Sequence, residues 1–118
     1  MIELIQTDNP KLLAMKCDGP ITEPEFCKVL GRMQEKFKAN DRVDFYMVAG
    51  DVPVPEMKLL RQDIKMALEY RDKIGKIALV TTQLWMKMYF TLISSIFEIK
   101  ARLFSPDEKD EAWEWVNS

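Results

Sequence analysis

Residues 73–116 contain two strand signals that alternate with two helix signals. Ile77–Val80 is a run of four apolar residues, the pattern of a strand that helices cover on both faces. An unusually apolar helix follows over residues 84–97, and in Glu98–Phe104 apolar and charged residues then alternate, which predicts a half-exposed edge strand. Ser105 and Glu108 have the spacing of a capping box and open a final, tryptophan-rich helix. This order requires right-handed crossovers and a largely parallel sheet, so the sequence predicts an α/β fold.

The N-terminal half supplies the remaining elements of this fold. Ile2–Gln6 and Leu12–Cys17 are short β-prone runs with turn residues between them, which predicts an antiparallel hairpin. Helical spacing of apolar residues predicts helices over Thr22–Lys38 and from about Pro55 to Arg71, with a third strand, Val43–Ala49, between them. The order ββαβαβαβα predicts a single domain over residues 1–118, with a mixed, mostly parallel sheet of about five strands and four helices.

Composition excludes several classes of function. The 118-residue chain contains no histidine, so neither a Ser-His-Asp site nor a histidine-containing zinc site can form within it. Its net charge of −2 gives no electrostatic reason to expect nucleic-acid binding. Basic residues gather only at Lys58, Arg61 and Lys65, which we interpret as the wet face of a helix. No cofactor and no metal site are expected.

The cysteines and the N-terminus indicate a cytoplasmic protein. Cys17 and Cys27 are ten residues apart, which fits neither a redox motif nor a zinc ribbon, and we expect two buried free thiols. The first residues lack the basic and long apolar regions of a signal peptide. The most apolar window, Leu84–Phe97, is too short to cross a bilayer, so no transmembrane segment is expected.

Motifs spread over nearly the whole chain resemble one known family. The residues that carry the resemblance are Met1-Ile2-Glu3-Leu4-Ile5, Leu12–Lys16, Gly19-Pro20-Ile21-Thr22, Lys76-Ile77-Ala78-Leu79-Val80, Trp85, Phe97 to Phe104, and Glu111-Ala112-Trp113-Glu114-Trp115-Val116. In this order and spacing they resemble the SpoIIAA-like family, which is related to the STAS domains of sulfate transporters and anti-sigma-factor antagonists. The resemblance implies a four- or five-stranded sheet flanked by helices, and kinship with CRAL-TRIO lipid-binding domains.

One stretch departs from the STAS pattern. STAS regulators carry a phosphorylatable serine near the start of the helix that follows the third strand. Here that stretch runs from Ala49 to Glu56 and contains no Ser, Thr or Tyr, so the phosphoswitch does not transfer to this chain. Asp51 could act there as a permanent negative charge, although we expect it to be a turn residue.

The candidate site lies at the carboxyl ends of the parallel strands, where open α/β sheets bind ligands. Two loops are expected there, Gly50–Pro55 and Thr81–Trp85, and backbone N–H groups at a helix start favour an anion. The competing interpretation is that Thr82 only caps the next helix. The candidate ligand or partner residues are Asp51, Thr81, Thr82, Trp85, Met88, Tyr89 and Leu92.

The helix over residues 83–97 is apolar almost all round, and such a helix is buried on more than one face. Leu84, Met88 and Leu92 form one side, while Trp85 and Tyr89 begin a neighbouring stripe. The sheet can cover only one side of this helix. We expect the second cover to be another copy of the chain in a homodimer. A protein partner, a hydrophobic small molecule and the chain's own first or last helix are the alternatives.

Three functional hypotheses follow. The favoured one is a non-catalytic, STAS-like interaction or ligand-binding module, with a carrier of lipid-like ligands on the Trp85–Phe97 helix as its alternative. An enzyme would have to use Asp51, Cys17, Cys27 or Glu56, which form no recognisable constellation. A peripheral membrane protein would need a Lys/Arg-rich polar face that this helix lacks.

Overall fold

Strands and helices follow one another in the predicted order ββαβαβαβα in the computed structural model, which describes residues 1–118. The strands are β1 (Ile2–Ile5), β2 (Leu12–Cys17), β3 (Val43–Ala49), β4 (Ile74–Val80) and β5 (Lys100–Phe104). The helices are α1 (Glu23–Ala39), α2 (Met57–Glu69), α3 (Leu84–Phe97) and α4 (Lys109–Asn117). Short 3₁₀ turns over Arg71–Lys73 and Pro106–Glu108 precede β4 and α4. The predicted α/β fold is therefore confirmed.

The five strands form one mixed sheet in the order β1-β2-β3-β4-β5. β1 pairs antiparallel with β2, as the predicted hairpin requires, and the other three pairs are parallel. Since β2 to β5 step across the sheet in one direction, right-handed crossovers place α1, α2 and α3 on the same face. β5 is an edge strand, and its charged Lys100 and Arg102 are exposed, which confirms its predicted place.

Two apolar cores lie on the two faces of the sheet. On the three-helix face, β-strand residues such as Met15 and Leu79 pack with Phe37 of α1, Met66 of α2 and Met86 of α3. On the other face, the strands pack against α4 through a smaller set: Leu12, Ala14, Tyr46, Ala78, Val80, Phe104, Ala112 and Val116. The continuous apolar runs of β2 and β4 follow from this arrangement, because alternate residues enter opposite cores.

Both predicted capping boxes are present. Thr22 Oγ1 accepts a hydrogen bond from Glu25 N at 3.3 Å, and Thr22 N donates to Glu25 Oε1 at 3.3 Å. Ser105 N donates to Glu108 Oε1 at 2.9 Å in the same way before α4. The Glu25 carboxylate also accepts from Ile2 N at 2.9 Å, and this bond, together with those from Thr22, lowers the Glu25 pKa. Glu25 therefore fixes the start of α1 against the edge strand β1.

Some predicted boundaries were wrong. α2 is shorter than predicted at both ends and begins at Met57 and ends at Glu69. The last strand begins at Lys100 rather than at Glu98, because Glu98 adopts a left-handed conformation (φ 55°) and ends α3. Its backbone N–H donates to Ser94 O, as is typical of a helix that stops in this conformation.

The two cysteines differ in their surroundings. Cys17 is buried in the three-helix core, as predicted, and burial raises the pKa of its thiol to about 11. The prediction of burial was wrong for Cys27, which is exposed. Cys27 comes directly after Phe26, but a helix turns about 100° per residue. α1 therefore places Phe26 against the core and Cys27 in solvent.

Candidate functional site

The predicted site residues lie in three separate places. Asp51, Thr81 and Thr82 belong to the loops at the carboxyl ends of β3 and β4. Trp85 and Tyr89 lie on the side of α3 that faces the body of the protein, where both are partly buried. Met88 and Leu92 lie on the opposite, solvent-exposed side of α3. The structure therefore does not bring the seven predicted residues into a single site.

Asp51 holds the loop after β3 in place. Its backbone N donates to Asp18 Oδ1 at 3.1 Å, and its carbonyl accepts from Gly19 N at 2.8 Å. Gln83 Nε2 donates to the Asp51 carboxylate at 3.4 Å. These bonds link the loop after β3 to the turn after β2 and to the start of α3. This geometry agrees with the interpretation of Asp51 as a turn residue.

Thr81, rather than Thr82, organises the loop before α3. Thr81 is buried, and its Oγ1 accepts a hydrogen bond from Gln83 N at 3.1 Å. The expectation that Thr82 caps α3 was wrong: Thr82 is exposed, and Gln83 occupies the N-cap position without a side-chain capping bond. Gln83 instead uses its side-chain oxygen to accept from Val52 N at 3.0 Å. The side chains of Thr81 and Gln83 therefore accept hydrogen bonds from backbone N–H groups of the two loops.

The inner side of α3 makes two polar contacts with the rest of the protein. Trp85 Nε1 donates to Val52 O at 2.9 Å, and Tyr89 Oη donates to Asp63 Oδ2 of α2 at 2.7 Å. Burial raises the pKa of Asp63, and the bond from Tyr89 offsets part of that rise. Burial also raises the pKa of Tyr89, and the neighbouring Asp63 carboxyl raises it further. This pair connects α2 to α3 in largely apolar surroundings.

Two small cavities adjoin the Asp63–Tyr89 pair, between the sheet and helices α1 to α3. Their volumes are about 80 and 90 Å³, and 12 of 14 and 13 of 15 of their lining residues are hydrophobic. Both cavities are lined by Met33, Met47, Asp63, Tyr89 and Phe90, so they meet at the carboxyl–hydroxyl pair. No lysine or arginine lines either cavity. The result is an apolar space whose one acidic group is Asp63.

Asp63 was not among the predicted site residues, although its position in α2 carried a signal. Asp63 lies between Leu59 and Met66, which are both buried, and one turn after Leu60. Residues three and four apart share a face of a helix, so this carboxyl lies on the apolar stripe rather than on the wet face. A charged residue in such a stripe is rare unless it is paired, and that anomaly points to a partner elsewhere in the fold.

The solvent-exposed side of α3 carries four large apolar residues at four-residue intervals. Leu84, Met88, Leu92 and Ile96, which we call the outer stripe, are 72%, 63%, 58% and 56% exposed. Lys87 is the only charged residue in α3. The rest of the apolar surface of α3 packs within the chain, through Met86 and Phe97 among others. The expectation that the chain cannot cover every side of this helix is therefore confirmed for the outer stripe.

Two further features bear on function. No group of three or more Cys, Asp and Glu side chains is arranged to hold a metal ion. No helix is long and apolar enough to cross a membrane. Lys58, Arg61 and Lys65 are all exposed on α2, and Lys58 forms an ion pair of 2.7 Å with Glu23 of α1.

Comparisons with known proteins agree with this architecture. The model of a family described as SpoIIAA-like matches residues 12–117. A solved structure of an uncharacterised protein of the DUF3478 family, with a SpoIIAA-like fold, from Shewanella loihica PV-4 is similar, with a TM-score of 0.73 and 12% sequence identity. The alignment covers 98% of this chain and 92% of that one, and at this identity it shows the fold alone. No curated protein matches the sequence significantly.

Proposed function

Because this chain belongs to the SpoIIAA-like family, we propose that it is a non-catalytic, STAS-like interaction module that acts as a homodimer through the outer stripe of α3. Residues 1–118 act as one domain in this proposal. The observation that carries it is the exposure of four large apolar side chains along one line of a single helix. Exposed apolar patches of this kind mark interaction surfaces in soluble proteins.

The spacing of the outer stripe favours a second copy of the chain over a different partner. Its four positions are symmetric about residue 90, so an antiparallel two-fold pairing places Leu84 opposite Ile96 of the partner, and Met88 opposite Leu92. A two-fold interface needs this kind of self-complementary surface. Residues four apart also form the ridges that interlock in the commonest class of helix packing. Lys87 is the one charge on α3, so the surface offers little charge complementarity to a different partner.

A stable dimer needs a larger interface than α3 alone can supply. A standard interface covers about 800 Å² on each partner, roughly a ninth of the 7072 Å² accessible surface of this chain. α3 is about 21 Å long, so the outer stripe supplies only the centre of such a surface. An open groove between α3 and β5, lined by Thr91, Ser95 and Leu103 among others, continues it on one side. The edge strand β5 therefore belongs to the proposed interface.

Several observations support a role without catalysis in the cytoplasm. Cys17 is buried with a raised pKa, which disfavours the reactive thiolate, and Asp51 is engaged in the turn between loops. Asp63, a carboxyl whose pKa burial raises, bonds only to the Tyr89 hydroxyl, in a chain that contains no histidine. Both cysteines are unpaired, which fits a reducing compartment. The loop of residues 49–56 has no hydroxyl to phosphorylate, so any regulation acts through another surface.

Sedimentation velocity of charge-insertion variants tests the homodimer. Leu92→Glu places a carboxylate at the centre of the outer stripe and should convert the dimer to a monomer, while circular dichroism and the unfolding transition stay close to those of wild type. Met57→Glu is the matched control, because Met57 is 62% exposed on α2 and lies outside the stripe. A Leu92→Glu protein that sediments like wild type, or a Met57→Glu protein that dissociates equally, would contradict the proposed interface.

A second candidate function, binding of a small hydrophobic molecule, is favoured by the two interior cavities. Each is smaller than the engineered cavity of about 150 Å³ that holds benzene, and the two joined are slightly larger. A long acyl chain does not fit this space, so the cavities favour a small molecule over the lipid-like ligand that the family kinship suggested. The first cavity shares Phe90, Ser94 and Ile99 with the groove that continues the proposed dimer interface, so a ligand there and a dimer partner would lie next to each other.

A further inference from the structure

We propose that Asp63, Tyr89 and the two adjoining cavities form a binding site for a small apolar amine, held as its ammonium ion against the Asp63 carboxylate. The ligand class is a primary amine with a short alkyl group. This inference goes beyond the interaction role of the outer stripe, whose four residues line neither cavity.

The Asp63 carboxyl lines both cavities and has one hydrogen-bond partner within the chain. Its Oδ2 accepts from Tyr89 Oη at 2.7 Å, and no other side chain or backbone group bonds to the carboxyl. An ionised carboxylate can accept about four hydrogen bonds. A ligand that enters either cavity therefore reaches a carboxyl that can accept further hydrogen bonds, while the surrounding Met33, Met47 and Phe90 contact its apolar part.

The charges around the cavities select a cation. Asp63 is the only charged side chain that lines either one, and α1 and the sheet contribute apolar residues together with the Cys17 thiol. The pKa of Cys17 is raised to about 11 and that of Tyr89 is raised as well, so both stay neutral near pH 7. A carboxylate ligand would meet no positive group in this space. An ammonium ion would meet one carboxyl in largely apolar, partly buried surroundings, where the attraction between opposite charges is stronger than in bulk water.

Proton release on binding would distinguish this site from one that binds a neutral molecule. Burial raises the pKa of Asp63, so the unoccupied protein keeps the proton of this carboxyl to a higher pH than an exposed aspartate would. When R–NH₃⁺ binds, this carboxyl loses its proton to solvent and the ammonium–carboxylate pair forms, with no bond in the ligand broken. Binding should therefore release up to one proton, and the affinity should rise with pH until Asp63 is fully ionised in the unoccupied protein.

A purely structural Asp63–Tyr89 pair is the competing account, and Asp63→Asn separates the two. The asparagine side-chain oxygen can still accept from Tyr89 Oη, so the link between α2 and α3 is retained. Only the negative charge is lost. Asp72→Asn is the matched control, since Asp72 is exposed in the turn before β4 and lines neither cavity.

Isothermal titration calorimetry with three six-carbon probes tests the site. Hexylamine should bind wild type at least about tenfold more tightly than 1-hexanol or hexanoate, a difference of about 1.4 kcal/mol. Asp63→Asn should lose that preference while its binding of 1-hexanol is unchanged, and Asp72→Asn should behave like wild type. Titrations in two buffers with different ionisation enthalpies should show proton release with hexylamine alone.

Several outcomes would overturn the amine site. They are equal binding of hexylamine by wild type and Asp63→Asn, a preference for hexanoate, or no binding of any probe. Leu92→Glu should bind hexylamine as wild type does. A failure of the dimer therefore leaves the amine site standing, and a failure of the amine site leaves the dimer standing.

Discussion

The hydrogen bond between Tyr89 Oη and Asp63 Oδ2 connects α2 to α3, and a double-mutant cycle should measure its contribution to stability. Tyr89→Phe removes the donor and leaves the Asp63 carboxyl without a partner in apolar surroundings. Loss of a hydrogen-bond partner costs about 1–3 kcal/mol at a fully buried group, and Asp63 and Tyr89 are partly buried, so the cost should lie toward the lower end of that range. Asp63→Leu leaves the Tyr89 hydroxyl unpaired and should cost a similar amount. The double variant replaces both polar groups by apolar ones of comparable shape and should lie within about 1 kcal/mol of wild type.

Urea unfolding followed by tryptophan fluorescence is the appropriate assay. A free energy of unfolding of about 5–15 kcal/mol is typical of a domain of this size, so each single variant should shift the midpoint measurably. The slopes of the transitions should agree, which would show that the variants alter stability rather than the denatured state. If Tyr89→Phe unfolds within about 0.5 kcal/mol of wild type and the two substitutions are additive, the bond contributes nothing and the reasoning is refuted.

Three further predictions concern pH, backbone packing and thiol accessibility. Burial raises the Asp63 pKa, so from about pH 4 up to that raised value the folded chain holds a proton that the unfolded chain has lost. Wild type should therefore lose stability relative to Asp63→Asn as the pH rises through this window. A stability difference that does not depend on pH would contradict this. Gly75→Ala should destabilise the fold by roughly 1–3 kcal/mol in thermal unfolding, because its Cβ would overlap the buried Asp44 carboxyl, and an unchanged melting temperature would rule this out. Ellman's reagent should label Cys27 fast and should label Cys17 only when the protein unfolds. Cys27→Ser should abolish the fast phase, and two fast phases in wild type would show that Cys17 is not buried.

Local signals in the sequence were sufficient to predict the order of the elements, the N-terminal hairpin and the edge position of β5. The continuous apolar run of β4 indicated a strand with helices on both faces, and it does lie between the two cores. The two capping boxes specify where α1 and the turn before α4 begin, through bonds within four residues of sequence. Each of these features depends only on near neighbours, which is why composition and spacing revealed them.

Features that depend on packing between distant elements were not predictable in the same way. Asp63 and Tyr89 are 26 residues apart, and nothing local to either residue indicates that α2 and α3 bring them together. Cys27 was placed in the core because helical phase alone does not say which residues at the margin of a stripe are covered. The two sides of α3 were recognised as apolar, but only the fold shows which side the chain covers and which it leaves exposed.

The two proposals assign different roles to the two sides of α3. Its inner side faces cavities that contain one carboxyl, and its outer side presents a symmetric apolar line. A helix that faced only solvent would be expected to carry small or charged residues in place of Leu84, Met88, Leu92 and Ile96, since exposed apolar area favours association. Self-association is therefore the central claim, because it would cover the outer stripe, which the fold of a single chain leaves exposed.

Native mass spectrometry of gently purified wild-type protein tests that claim most directly. We expect a dimer at twice the 13.8 kDa chain mass, which persists on dilution into the low micromolar range and disappears in Leu92→Glu. A monomer at every accessible protein concentration would contradict the account and leave the outer stripe as exposed surface without a partner of its own kind.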